Sequence, residues 1–161
     1  MPERPAPRPG LAAFPSRPQS YLSFDFGTRR VGVATGNSLM GLAQPLKTLS
    51  VEGDARFAAI AQLISQWQPS ALVVGVPFHP DGAAHDNTRR AQRFARQLHG
   101  RFRLPVHEVD ERYTTTEALA AGAADADAAA AALILEQFLR GAAAADNAPF
   151  PPVQDPADAA A

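Results

Sequence analysis

Three separated groups of carboxylates carry most of the chemistry this sequence could perform. Asp25 stands in the run Phe24-Asp25-Phe26-Gly27-Thr28-Arg29-Arg30-Val31-Gly32-Val33. A carboxylate among apolar strand residues is costly unless its charge is matched. A metal ion, or the metal of a bound phosphate, would match it, and Gly27 and Gly32 would let the backbone approach closely. The ordinary alternative is a turn aspartate bonded to nearby backbone N–H groups. The second group, Val109-Asp110-Glu111-Arg112-Tyr113, ends a strand in two consecutive acids and runs into Thr114, Thr115, Thr116 and Glu117. Successive strand residues point to opposite faces, so only one of Asp110 and Glu111 can share a cleft with Asp25; a helix-capping cluster is the plain reading. The third group, Asp125 and Asp127, precedes an alanine run, where a helix dipole stabilises a carboxylate whatever its function. Acids on three separate elements make an oxygen-donor set suited to a hard divalent cation.

A possible phosphate partner lies between these groups. Arg89, Arg90, Arg93, Arg96, Arg101 and Arg103 place six arginines in fifteen residues with no acid among them. Guanidinium forks suit phosphate contacts, with a solvated helix face as the bland alternative. The four histidines (His79, His85, His99, His107) lack metal-ligand spacing and read as structural or exposed, and Trp67 reads as core. There is no Gly-x-Ser-x-Gly elbow and no Walker-type lysine loop.

The elements that must position these groups alternate between strand and helix. Leu22, Phe24 and Phe26 alternate with Ser23 and Asp25; after a Gly27-Thr28 turn, Val31, Val33 and Thr35 alternate with Gly32, Ala34 and Gly36. This is a hairpin with one bulky and one small face. A third short strand fits Pro45 to Ser50. Phe57, Ile60, Ala61 and Ile64 recur at helical spacing, with Asp54 as a candidate cap. Ala71 to Val76 reads as a strand covered on both faces. Ala91, Phe94, Ala95 and Leu98 predict a helix with Arg89, Arg93 and Arg96 on its opposite side. Val106 to Asp110 is another strand, and an alanine-rich helix carrying Leu133, Leu135 and Leu139 closes the unit. The pattern predicts an α/β fold, a mixed sheet with helices on its faces.

Composition limits the alternatives. The chain has 161 residues, 46% hydrophobic, which suits one domain with a real core. It has no cysteine, excluding disulfide scaffolds, zinc fingers and thiol catalysis. The longest apolar run, Ala128 to Leu135, is too short to span a membrane, and the N-terminus lacks the apolar core of a secretory signal. A cytoplasmic protein is expected. The net charge of −1 hides a split: residues 1–103 carry 13 Lys+Arg and 6 Asp+Glu, residues 104–161 carry 2 and 10. One basic face beside one acidic cleft is compatible with that split. Six of the 15 prolines fall in the first 18 residues and four between Pro149 and Pro156. The expected organisation is a disordered tail over 1–19, a folded domain over 20–141 and a second tail over 142–161.

With these segments in hand, the sequence resembles the YqgF family of bacterial RNase H-fold proteins, described as pre-16S rRNA nucleases and, by analogy, as Holliday junction resolvases. Asp25 to Ala34 resembles the family's opening Asp-x-Gly-x-Lys/Arg-x-Ile-Gly-Val-Ala strand pair. Val74-Gly75-Val76-Pro77, then Asp81-Gly82 and Phe94-Ala95 with Leu98, is similar to its Gly-x-Pro loop and second helix. Asp110-Glu111-Arg112-Tyr113-Thr114-Thr115, then Glu117-Ala118, resembles its Asp-Glu-Arg-x-Thr-Thr segment. Asp127 with Ala130, Ala131, Ile134 and Leu135 resembles its last helix. The likeness runs from Leu22 to Leu139. It departs from the family between Glu117 and Asp127, where a shorter, alanine-rich connection replaces the usual basic residues.

The resemblance implies an RNase H-like mixed sheet and a metal-dependent nuclease that acts in 5′-end processing of pre-16S rRNA. It implies Asp25, Glu111 and Asp127 as catalytic residues and as ligands to Mg²⁺ or Mn²⁺; Asp127 is preferred to Asp125 because only Asp127 sets the following residues in register. Arg29, Arg30, Arg89, Arg93, Arg96 and Arg112 are the expected nucleic-acid contacts. Pre-rRNA and ribosomal particles are the implied partners, no membrane is expected, and the chain would act as a monomer or homodimer. Branched DNA cut by a junction resolvase is one alternative, and a non-catalytic RNA-binding assembly factor is another. Asp25-Phe26-Gly27-Thr28 also resembles the phosphate cradle of the sugar kinase and Hsp70-like ATPases, but that superfamily closes two such domains around a cleft.

Overall fold

The computed structural model describes residues 19–111 and 122–144. Five strands form one sheet: β1 Ser20–Phe26, β2 Val31–Asn37, β3 Ala43–Leu49, β4 Ala71–Val76 and β5 Val106–Asp110. Among the described residues three helices cover it: α1 Gly53–Trp67, α2 Asp86–Phe102 and α3 Ala126–Ala144. The strand order is β3-β2-β1-β4-β5. The β1–β2 and β2–β3 pairs are antiparallel, while β4 runs parallel to both β1 and β5. The expected mixed sheet is therefore present, with strand boundaries shifted by a few residues. Edge strand β3 starts earlier than expected and carries a bulge opposite Val33 and Ala34, beside Pro45. Proline cannot donate to a ladder, so an irregular edge position tolerates it.

Alternation along β1 divides the core. Leu22 and Phe24 face α1 and α2, packing with Val31, Val33, Ile60, Leu72, Val74, Phe94 and Leu98. Tyr21 and Ser23 face α3, where Tyr21, Val73, Val109, Ile134, Leu135 and Phe138 form a second cluster. Buried Ser23 donates its hydroxyl to the Ala131 carbonyl across 2.7 Å, tying β1 to α3. The small face of β2 is where α3 comes closest: Ala34 packs on Ala131 and Ala132. Only small residues on both sides permit such an approach, which explains the alanine-rich helix.

Two local expectations change. Asp54 does not cap α1: the cap position is Glu52, without a side-chain hydrogen bond, and the exposed Asp54 carboxylate lies 3.6 Å from Arg101. Trp67 is not core but 37% exposed. The buried stripe of α1 runs through Arg56, Phe57, Ile60 and Leu63, and the helix ends at Trp67 before its ring finds cover. Among the described residues no helix is long and apolar enough to cross a membrane.

Candidate active site

The carboxylates gather at the C-terminal ends of β1, β4 and β5, the edge of a parallel sheet where ligands collect. Asp25 shares the α3 face with Ser23 and is half-buried. Its register partners are Gly32 on β2 and Gly75 on β4. Register partners point to the same face, so Asp25 has no side chain beside it on either neighbouring strand.

The space over each glycine is taken by another acidic residue. A Cβ at Gly32 would stand 1.8 Å from the carbonyl oxygen of Asp127, so the first turn of α3 rests directly on β2. A Cβ at Gly75 would stand 2.6 Å from Glu111 Oε1 and 2.4 Å from Ile134 Cδ1. Glu111, Asp25 and Asp127 therefore form a row over β4, β1 and β2 on one face. Alternation also separates the two consecutive acids. Val109 is the register partner of Gly75, so Glu111 falls on the α3 face and Asp110 does not. The Asp110 carbonyl instead accepts a bond from the Gln137 side chain of α3.

The two aspartates before α3 divide their roles. Asp125 is the cap: its carboxylate accepts from the Ala128 N–H at 3.1 Å and from the Thr48 hydroxyl. That leaves Asp127 in the first turn, 32% exposed, with its Oδ2 3.2 Å from Arg30 Nε. Beside it opens a cleft of about 670 Å³, lined by the Gly27–Arg30 turn, Ser50, Glu52 and Asp127. The turn closes tightly, since a Cβ at Gly27 would lie 2.5 Å from the Arg30 carbonyl oxygen.

Three carboxylates are hard-oxygen donors, the kind Mg²⁺ and Mn²⁺ take. At a strand spacing of about 4.8 Å the row spans roughly 10 Å, so its ends must lean inward to share an ion. Among the described residues, no three of the His, Cys, Asp and Glu side chains stand close enough to hold a metal as they are. The glycine pair leaves the sheet surface beside Asp25 free of β2 and β4 side chains, so Glu111 and the first turn of α3 come close on either side.

The expected arginine contacts separate. Arg29 and Arg30 line the cleft. Arg89, Arg93 and Arg96 are exposed on α2, which covers the opposite face of the sheet from the carboxylates. Arg89 lies 3.4 Å from Asp86, and the Arg96 charge acts on Glu108, a carboxyl whose pKa burial raises. Arg112 and the Thr114–Glu117 segment lie outside the described residues. The histidines hold structure: His85 caps α2 by accepting from the Asn87 N–H at 3.1 Å, and His79 packs against it edge to face. His99 bonds the Leu104 carbonyl, and His107 stacks on Phe138.

Sequence reasoning missed two contributors. A glycine inside the apolar β4 run signals close approach of another group, which here is Glu111. Arg56, on the apolar stripe of α1, signals a buried charge with a task, since a hydrophobe would pack there at less cost.

A mixed sheet with two antiparallel and three parallel-linked strands, acids in a row at one end and helices on both faces defines an RNase H-like fold. The chain is similar in fold to Thermus thermophilus RuvC, solved in complex with a Holliday junction substrate, with a TM-score of 0.50 and 14% identity over 76% of this chain and 94% of that one. A family model described as "RuvX: Holliday junction resolvase" matches residues 19–141, and the chain belongs to that nuclease and resolvase family, the one its YqgF resemblance indicated. It is 69% identical over 122 residues to a "Putative pre-16S rRNA nuclease" of Albidiferax ferrireducens, covering 76% of this chain and 78% of the relative. A protein of the same description from Polaromonas sp. is 67% identical over 122 residues, covering 76% and 88%.

Proposed function

We propose that this chain is a cytoplasmic, metal-dependent nuclease that hydrolyses phosphodiester bonds in the 5′-end maturation of pre-16S rRNA, with residues 20–141 as its catalytic unit. The observation that carries the reading is the row Glu111, Asp25, Asp127 on one face, with Gly32 and Gly75 as the register partners of Asp25, so that neither neighbouring strand puts a side chain beside it. Mg²⁺ or Mn²⁺ held by these three residues would supply Lewis-acid stabilisation of phosphoryl charge and ease deprotonation of the attacking water.

The chain's own residues do the rest. Asp25, central and fixed in the sheet, would be the middle ligand of the three. Arg29 and Arg30 receive the phosphates that flank it, contacts that position a strand without reading its sequence. Arg30 holds Asp127 in the absence of substrate, and a phosphate entering the cleft competes for the same guanidinium. A water oxygen forms the new bond to phosphorus as the bond to the leaving ribose oxygen breaks, with no covalent enzyme intermediate. The relatives' descriptions favour pre-rRNA bound in a ribosomal particle as substrate. The family model's description supports the second reading, cleavage of a four-way DNA junction, which requires two copies of the chain.

End-labelled precursor rRNA and a four-way DNA junction, each incubated with EDTA, Mg²⁺ or Mn²⁺, test both. The expected result is metal-dependent cutting of the RNA that Asp25→Asn abolishes without unfolding the chain. Cutting confined to the junction establishes the resolvase. Binding without turnover on either substrate establishes a non-catalytic assembly factor, and an Asp25→Asn variant as fast as wild type refutes the site.

A further inference from the structure

Arg56 is the one charged side chain buried among the described residues, at 6% exposure. It sits on the core-facing stripe of α1 beside Phe57, where a leucine or methionine would pack without desolvating a charge. Burial lowers its pKa, and the charge of Glu52 opposes that shift. Its fork is spent on two backbone carbonyls from two different loops: Nε donates to Val51 and Nη2 to Thr28, both at 3.0 Å. The guanidinium also lies 5.7 Å from the centroid of the Phe26 ring.

Both loops border the cleft beside Asp127. Thr28 belongs to the turn that carries Arg29 and Arg30, and Val51 lies between the lining residues Ser50 and Glu52. Residues 28–30 are exposed, so the Thr28 carbonyl is where the turn is fastened to the core from beneath. A planar guanidinium fixes the angle between two acceptors, which a lysine ammonium cannot do.

We propose that Arg56 is a positioning residue for substrate grip: it clamps the two loops together and so holds Arg29 and Arg30 ready for phosphate, without touching nucleic acid itself. The inference rests on the nuclease reading, because it takes the cleft to be the site of the flanking phosphates.

The test uses the full chain in an Asp25→Asn background with Mg²⁺, binding a fluorescein-labelled single-stranded RNA at several salt concentrations. Arg56→Met keeps the volume and removes the fork; Arg56→Lys keeps the charge. Arg56→Met is expected to weaken binding about tenfold, the loss of one ordered Arg–phosphate contact. The slope of log K against log salt should fall by about 0.7, as for one phosphate no longer neutralised on a single strand. Arg29→Gln should produce the same slope change, and the double variant should add little to either single one. Arg56→Lys should recover part of the affinity. Hydrogen exchange of the turn amides 28–30 should quicken in Arg56→Met, a readout independent of nucleic acid. In the Asp25 wild-type background KM should rise with kcat nearly unchanged.

A lower melting temperature with unchanged salt slope and turn exchange would overturn the proposal, leaving Arg56 a purely structural tie. Full additivity with Arg29→Gln would overturn it as well. Wild-type affinity too weak to measure would instead count against the nuclease reading, and the turn exchange would still report on the clamp.

Discussion

Replacing Gly75 by alanine should separate the site from the fold. The added methyl would stand 2.6 Å from Glu111 Oε1 and 2.4 Å from Ile134 Cδ1, both far ends of flexible side chains. Restoring a 3.0–3.4 Å contact pushes the Glu111 oxygen back by about 0.4–0.8 Å. Since a 1 Å misplacement of a reacting group costs about 100-fold, the expected loss is about 6- to 40-fold in the cleavage step. That corresponds to about 1–2 kcal/mol of activation free energy. The fold loses little more than the cost of turning Ile134, about 1 kcal/mol. Single-turnover cleavage of the RNA substrate and urea unfolding of the same preparation measure the two quantities. Adding Ile134→Val removes Cδ1, so the double variant should regain stability relative to additivity while activity stays low. If Gly75→Ala folds and cuts like wild type, Glu111 is not held by this cradle and the row of acids is not the site. Gly32→Ala offers no such separation, because its methyl meets the backbone of Asp127 at 1.8 Å and α3 itself would have to move.

The two aspartates before α3 should respond in opposite ways. Asp125→Ala removes the cap on Ala128 and the bond to Thr48, and should lower stability by about 1 kcal/mol by denaturant titration while cleavage continues at a reduced rate. Asp127→Asn breaks an exposed ion pair worth less than about 1 kcal/mol and should leave the melting curve nearly unchanged while stopping cleavage. Burial lowers the His107 pKa, so the folded chain resists a proton that the unfolded chain accepts. Its contribution to stability is therefore complete above the ordinary histidine value and lost as pH falls from there through the folded value. Urea midpoints at pH 7.5 and 5.5 should show this loss, and His107→Phe, which keeps the stack on Phe138, should shrink it.

Fold class was legible because it rests on local periodicity. The alternation at Leu22, Phe24 and Phe26, the unbroken Ala71–Val76 run and the stripe Ala91, Phe94, Ala95, Leu98 each specify a face, and a face needs a partner layer. The acids were legible as residue types on separate elements, and the period of two already required a choice between Asp110 and Glu111. What pattern could not supply was register. That Gly32, Asp25 and Gly75 stand abreast depends on pairing across three strands, which no local window contains. Asp127 was already preferred to Asp125 by register with the residues that follow, but the bond from Thr48, 77 residues away, that joins Asp125 in the cap lies outside any local window. Trp67 went astray for a related reason: helical spacing gives the direction of a side chain, whereas exposure depends on where the sheet ends beneath it.

The placement of α2 bears on what kind of substrate can use both basic surfaces. In the crossover from β4 to β5, α2 begins at the strand ends that carry the acids and then runs away from them on the opposite face. Arg89 and Arg90 stand in its first turn, near the rim. Arg96 is seven residues farther along, which at 1.5 Å per residue is about 10 Å farther from the site. On the proposed reading, a single extended strand seated on Asp25 and the Arg29–Arg30 turn would lie on the α3 face, with no path to Arg93 or Arg96. A folded RNA or a branched duplex is wide enough to lap over the sheet end and meet α2 with a second strand. The basic stripe therefore does not extend the cleft. On the proposed reading it would form a separate contact available only to a structured nucleic acid, so the size of its contribution to binding would report the shape of the substrate rather than the chemistry at Asp25.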